Sequence, residues 1–211
     1  MTTDARPEAD LLPLAAAGDE PAARELYSRY AGRLKRMVHL RLSRRLHGRV
    51  GDSDVLQEAY LDVSRRLPEY VRDPRLPFFL WLRHMTGLKL VEIHRRHLGT
   101  QARDADREIS LHRGALPEAD SVSLAAQLLG QLTTPSQAAV RAELRLLVQD
   151  ALAAMDPVDR EVLALKHFEQ LSTSEIAEVL GLSRAGAGSR YLRAIKRLRE
   201  ILSATPGFEE F

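Results

Sequence analysis

Between Ser172 and Ser183 the chain writes a helix start, a helix stop and a second helix start in one short run. Ser172-x-x-Glu175 is a capping box, in which hydroxyl and carboxylate each accept a backbone N–H that a helix end would otherwise leave open. Ile176, Ala177 and Leu180 follow as an inward stripe, with Ala177 small where two helices must approach closely. Gly181 supplies the left-handed residue that ends the helix, Leu182 plugs the turn, and Ser183 caps the next helix. Upstream, Asp156-Pro157-x-Asp159 places a capping Asp, a Pro at the first helical position and a carboxylate at the positive helix end. That helix carries Val162, Leu163, Leu165 and Phe168 inward. The spacing predicts a helix-turn-helix whose second helix is available for the major groove.

The final helix is expected to carry two stripes. Ala187, Tyr191, Ile195, Leu198 and Leu202 form the core side, and Arg190, Arg193 and Arg197 lie well away from it. Arginine binds guanine edges bidentately or phosphates as a fork. Charge over the whole chain points the same way only through its distribution. The 211 residues carry 31 Lys+Arg against 29 Asp+Glu, a formal net of +2. The cations are segregated: residues 31–51 hold Arg33, Lys35, Arg36, Arg41, Arg44, Arg45 and Arg49 with no acid, and residues 184–199 are likewise acid-free. Such stripes are the footprint of a phosphate-binding surface, although for either one taken alone a solvated basic face is the better reading.

The rest reads as helix, because Val-Ile-Thr alternation and Asn-Gly hairpin turns are missing. Asp19-Glu20-Pro21 opens a helix carrying Leu26, Tyr30, Leu34, Met37 and Val38; Gly48 to Gly51 breaks the run. Asp52 or Ser53 caps a second helix with Leu56, Tyr60, Val63 and Leu67, and Pro68, Pro74 and Pro77 interrupt it. A third runs from near Phe78 to about His97. Residues 99–135, with Gly99, Gly114, Pro117, Gly130 and Pro135 among five carboxylates, read as a linker containing a short helix at 122–132; helix resumes at about Ser136.

Several function classes fall away. Absence of cysteine excludes disulfides and thiolate metal sites. The acidic N-terminus is not a signal peptide, and no run of ~18 apolar residues spans a membrane, so a cytoplasmic protein without membrane insertion is expected. His94-x-x-His97 lacks a third ligand at convincing spacing, and no phosphate loop, nucleophile elbow or paired-acid motif occurs, so neither metal, cofactor nor enzymatic activity is expected. A serine recombinase would need an α/β domain, and the N-terminal half shows no strands.

The run Ser172-Thr-Ser-Glu-Ile-Ala-Glu-Val-Leu-Gly-Leu-Ser183, continued by Ser189-Arg190-Tyr-Leu-Arg193-Ala194, resembles region 4 of bacterial sigma factors and, taken alone, the output domain of many regulators. Asp54-Val-Leu-Gln57-Glu58-Ala-Tyr60-Leu61 resembles the region 2 helix that grips the RNA polymerase clamp. Phe78-Phe-Leu-Trp81-Leu82-Arg83, followed by Ile93-His-Arg95-Arg96, resembles the segment that binds and opens the −10 element. With these modules and a linker the chain resembles the extracytoplasmic-function (ECF) class of sigma factors. The resemblance implies an all-α fold of two small helical domains, region 2 over 10–98 and region 4 over 136–203, joined by the linker 99–135. Its implied partners are core RNA polymerase, promoter DNA and, in some members, an anti-sigma factor.

The resemblance implies that Asp54, Gln57, Glu58 and Leu61 face the polymerase, an acidic face with an apolar centre suited to an Arg-rich surface. At the −10 element it implies a base pocket around Arg72–Phe78, Trp81 at the edge of the opened duplex, and backbone contacts from Arg83, Lys89, Arg95 and Arg96. At least one of Phe78, Phe79 and Trp81 is expected in the core. Leu82 stands where primary sigma factors carry a second Trp. Gly186 and Gly188 occupy the recognition helix where a basic or polar residue is common in the family, each costing roughly 1 kcal/mol relative to Ala. Readout at −35 therefore falls to Arg184, Ser189, Arg190 and Arg193, with Arg197 on the same basic face. The competing reading is a helix-turn-helix regulator that binds operator DNA as a dimer; it would need a sensor or receiver domain, which residues 1–100 do not resemble.

Overall fold

A computed structural model describes residues 6–98, 116–117, 119–130 and 138–204. The described residues are helical and contain no strand. They divide into two compact units, Met1–Val38 with Arg44–Glu108, and His39–Ser43 with Ile109–Phe211.

The first unit is built from α1 (Glu8–Ala16), most of α2 (Glu20–Arg41), α3 (Asp52–Arg72) and α4 (Phe78–Leu98), while the last turn of α2, from His39 to Arg41, belongs to the second. Asp19 caps α2 as its sequence predicts, accepting the Ala22 N–H at 2.9 Å. α1 precedes the first helix expected from the sequence, and Pro7 followed by Glu8 and Asp10 in the first turn marks its start. It packs against α3 through Leu11, which is fully buried. Leu26, Leu34 and Met37 of α2, Val55, Ala59 and Val63 of α3 and Leu82, Met85 and Ile93 of α4 are all buried. α3 runs through Pro68 rather than stopping there. One backbone bond is lost, but continuation buries Tyr70, whose hydroxyl donates to the Leu76 carbonyl at 2.9 Å and so fixes the following loop.

The second unit contains α5 (Ser121–Gly130), α6 (Ala138–Ala153), α7 (Pro157–Leu163), α8 (Thr173–Leu180) and α9 (Arg184–Ser203). α5 realises the short linker helix and packs on α6, placing Leu124 and Ala125 in one core with Val148, Leu152, Leu163 and Phe168. Leu132, also expected in that helix, and most of the linker 99–135 lie outside the described residues. A π-helical turn, Ala164–Phe168, follows α7. Its wider register buries Leu165, Phe168 and Glu169 together. Glu169 and Glu161 both pair with Arg41, which is also fully buried. Burial works against the Arg41 charge, but the two carboxylates outweigh it and hold its pKa above the usual arginine range. Removing one member of such a cluster leaves an uncompensated buried charge, typically costing about 3–5 kcal/mol.

Candidate nucleic-acid and polymerase surfaces

The helix-turn-helix forms by the local chemistry its sequence specifies. Ser172 Oγ accepts the Glu175 N–H at 3.2 Å, and Glu175 accepts the Ser172 N–H at 2.7 Å. Gly181 takes φ +61°. The Leu182 N–H reaches the Ala177 carbonyl at 2.9 Å and the Gly181 N–H the Glu178 carbonyl at 3.3 Å, which closes a Schellman motif. Ser183 then caps α9 through the Gly186 N–H at 3.0 Å. α9 packs against α7, α8 and α6.

Its buried side differs from expectation by one residue. Ala187 and Ala194 are buried and Tyr191 and Leu198 partly so, whereas Ile195 is exposed. A small Ala194 lets α9 lie close to its neighbours, and Ile195 is turned outward with Leu192. Of the five expected −35 residues, Arg184, Ser189, Arg193 and Arg197 are exposed. Arg190 is not part of that set. Its Nη2 lies 3.1 Å from Asp156 Oδ1, and its Nε lies 2.9 Å from Asp159 Oδ1 in an ion pair not aligned as a hydrogen bond. The capping carboxylate that starts α7 thus also holds α9, because Asp156 Oδ1 accepts the Val158 N–H at 2.9 Å. Behind the helix the Tyr191 hydroxyl meets His167 Nε2 at 3.2 Å, and burial followed by the nearby Lys166 charge holds that imidazole below its ordinary pKa.

In the first unit, the end of α3 and the start of α4 gather an aromatic cluster. Trp81 stacks on Tyr70 with ring centroids 4.5 Å apart and on Phe78 at 5.9 Å. Trp81 keeps a partly exposed edge, whereas Phe78 and Phe79 are buried and packed on Tyr30. Burial, then the Glu8 carboxylate, pushes the Tyr30 hydroxyl up to about 12. The cations expected beside this cluster separate into two kinds. Arg72 and Arg95 are exposed, and Arg72 Nε donates to the Pro68 carbonyl at 3.1 Å. Arg83 is buried, so its guanidinium is withdrawn from the surface where a phosphate would lie. Lys89 is largely covered and paired with Asp62 at 2.8 Å and Glu92 at 2.6 Å. Burial opposes its charge, but these carboxylates hold its pKa above the usual lysine range. Arg96 pairs with Glu92 at 2.6 Å and Glu58 at 3.5 Å. Sequence spacing could not show these pairings, since each reaches across helices or along a face whose acids also suit a partner.

On α3, Asp54 and Gln57 are exposed, Glu58 half-exposed, and Leu61 stands at 55% exposure on that face. Asp54 also accepts the Gly51 N–H at 2.8 Å, which fixes the start of the helix. Asp62, expected on the same face, is turned to Lys89. Burial lowers the His94 pKa, and among the described residues no cluster of three or more His, Asp or Glu could hold a metal. No described helix is long and apolar enough to cross a membrane.

These caps, turns and faces define a helix-turn-helix in one unit and an aromatic corner in the other. Residues 145–198 match the family model for sigma-70, region 4. The RNA polymerase sigma-E factor of Streptomyces coelicolor is 45% identical over 60 residues, 28% of this chain and 34% of that protein, so this match spans about a third of that relative's length. Longer alignments join the chain to the ECF RNA polymerase sigma factor SigL of Mycobacterium tuberculosis, 28% identical over 89% of this chain and 93% of that one. The ECF sigma factor BldN of S. coelicolor is 23% identical over 92% of this chain and 65% of its own. Among solved structures, CnrH in complex with the cytosolic domain of CnrY shares the fold, with a TM-score of 0.56 and 23% identity over 93% of this chain and 97% of that one. Residues 145–198 are thus similar to sigma-70 region 4, and most of the chain is similar, at lower identity, to ECF sigma factors.

Proposed function

We propose that the chain is an alternative sigma factor: it binds core RNA polymerase, recognises −35 and −10 elements, and promotes opening of promoter DNA inside the cell. The observation that carries this reading is the exposed basic face of α9, Arg184, Arg193 and Arg197, on a helix whose caps match region 4. Ser189, exposed on the same helix, adds a hydroxyl donor and acceptor within the groove-facing turn. At the −10 element the partly exposed edge of Trp81, backed by Tyr70 and Phe78, offers a stacking platform, with Arg72 and Arg95 as backbone contacts. The exposed Leu61, with Asp54, Gln57 and Glu58 along the same face, is the surface for the polymerase. An anti-sigma protein belongs to the same proposal, in parallel with the partner of CnrH. No step in this function requires catalysis by the chain itself.

Run-off transcription from DNA upstream of its own gene tests the proposal. A discrete transcript is expected only when core polymerase and this chain are both present. Tight binding of that duplex by the chain alone, with no transcript on adding polymerase, would instead establish an operator-binding regulator.

A further inference from the structure

The basic stripe at residues 31–51 is not absorbed by the surfaces above, and the structure sorts its members. Arg33 lies over the Phe79 ring at 3.5 Å, and Arg41 is buried between carboxylates. What remains is a turn between α2 and α3 in which Arg44, Arg45, His47 and Arg49 are all exposed. Leu46, only 1% exposed, anchors it from within. The Arg49 and Val50 N–H groups both donate to the Leu46 carbonyl, at 2.9 and 3.0 Å, and Gly48 takes φ +92°. The turn is therefore built, and its cations start from a defined backbone.

Elsewhere in this unit several cations are neutralised: Arg24 by Glu20, Arg29 by Glu25, Arg75 by Asp73, and Lys89 and Arg96 by Glu92. Arg44 and Arg49 have no ion pair among the described residues, and no acid occurs from Leu42 to Gly51. Two guanidinium groups left without a carboxylate at either end of an anchored turn call for an anion from outside. The turn's one large apolar side chain, Leu46, is inward, so its surface has no apolar centre of the kind a protein interface buries. The α3 face, with Leu61 exposed, makes the contrast within the same unit. A phosphodiester backbone needs only spaced, charged donors, which arginine forks supply.

We infer that the Arg44–Arg49 turn is a further DNA-contacting surface that grips backbone phosphates without reading bases. It rests on the sigma reading only in taking DNA as the polyanion. The test is the salt dependence of binding to a labelled mixed-sequence duplex, followed by anisotropy with the full-length chain. For Arg44→Gln/Arg49→Gln the slope of log K against log salt should be shallower by about 1.8, two phosphates at about 0.9 each. Arg44→Lys/Arg49→Lys should keep the wild-type slope. So should Arg6→Gln/Arg24→Gln, which removes the same net charge from exposed, paired positions. Thermal melting of the Gln pair should match wild type, since both side chains are exposed and unpaired.

An unchanged slope in the Gln pair overturns the inference, as does a wild-type chain that binds no duplex at about 50 mM KCl. If the slope is unchanged but co-elution with core polymerase is lost, the turn is a protein contact instead. Should the wild-type chain itself fail to co-elute with core polymerase, the sigma reading fails while the slope still judges the turn.

Discussion

Arg190 and Arg193 sit on the same face of α9 by sequence spacing, yet their surroundings assign them different work. Arg190 is held by Asp156 and Asp159, so it positions the recognition helix against the start of α7. Arg193 is exposed. Arg190→Ala should therefore lower the urea midpoint of the second unit, by about 1 kcal/mol for a pair that is partly covered. Arg193→Ala should leave that midpoint alone and weaken binding to a −35 duplex by about 1–3 kcal/mol if it reads a base. The two variants, measured side by side by melting and by anisotropy, should exchange no effects. An unchanged melt for Arg190→Ala would contradict the strut, and unchanged affinity for Arg193→Ala would remove it from the interface. The distinction was not legible in the sequence, because Asp156 lies far from Arg190 along the chain and only folding brings the two together.

At the scale of elements, the caps were the most legible feature. Asp19, Asp156, Ser172, Gly181 and Ser183 act where their types require, since each satisfies local backbone groups within a few residues. The misses were tertiary. α3 passes Pro68 because burial of Tyr70 outweighs one lost backbone bond, and the π-turn at Ala164–Phe168 answers to the partner of Glu169, which no local pattern announces. Arg83, Lys89 and Arg96 had suitable charge for DNA, but two are paired and one buried, which residue type cannot reveal. The two glycines of α9 make an element-level prediction. A Cβ at Gly188 would meet Thr173 Cγ2 at 3.8 Å, an ordinary contact, so Gly188→Ala should stabilise the second unit by about 1 kcal/mol. A Cβ at Gly186 would meet the Ser183 capping hydroxyl at 3.1 Å, so Gly186→Ala should gain less because the cap must shift. Thermal melts that rank Gly186→Ala above Gly188→Ala would contradict this account of the helix start.

For the whole molecule, the central claim is that two helical units on one chain bring polymerase and promoter together. Two modest contacts on a single chain reinforce one another through effective concentration, so neither surface has to bind tightly alone. That suits an α9 whose first turns carry two glycines and an aromatic corner with one partly exposed Trp. It also sets apart the surface on α3, which no DNA-binding role explains: an apolar Leu61 kept at 55% exposure among acidic and polar neighbours. The most direct measurement is size-exclusion co-elution with core RNA polymerase, comparing wild type with Leu61→Asp and Glu58→Lys. Wild type should elute with the polymerase, and both variants should elute alone while Leu61→Asp melts as wild type does. A wild-type chain that elutes apart from polymerase, or variants that remain bound to it, would contradict the account.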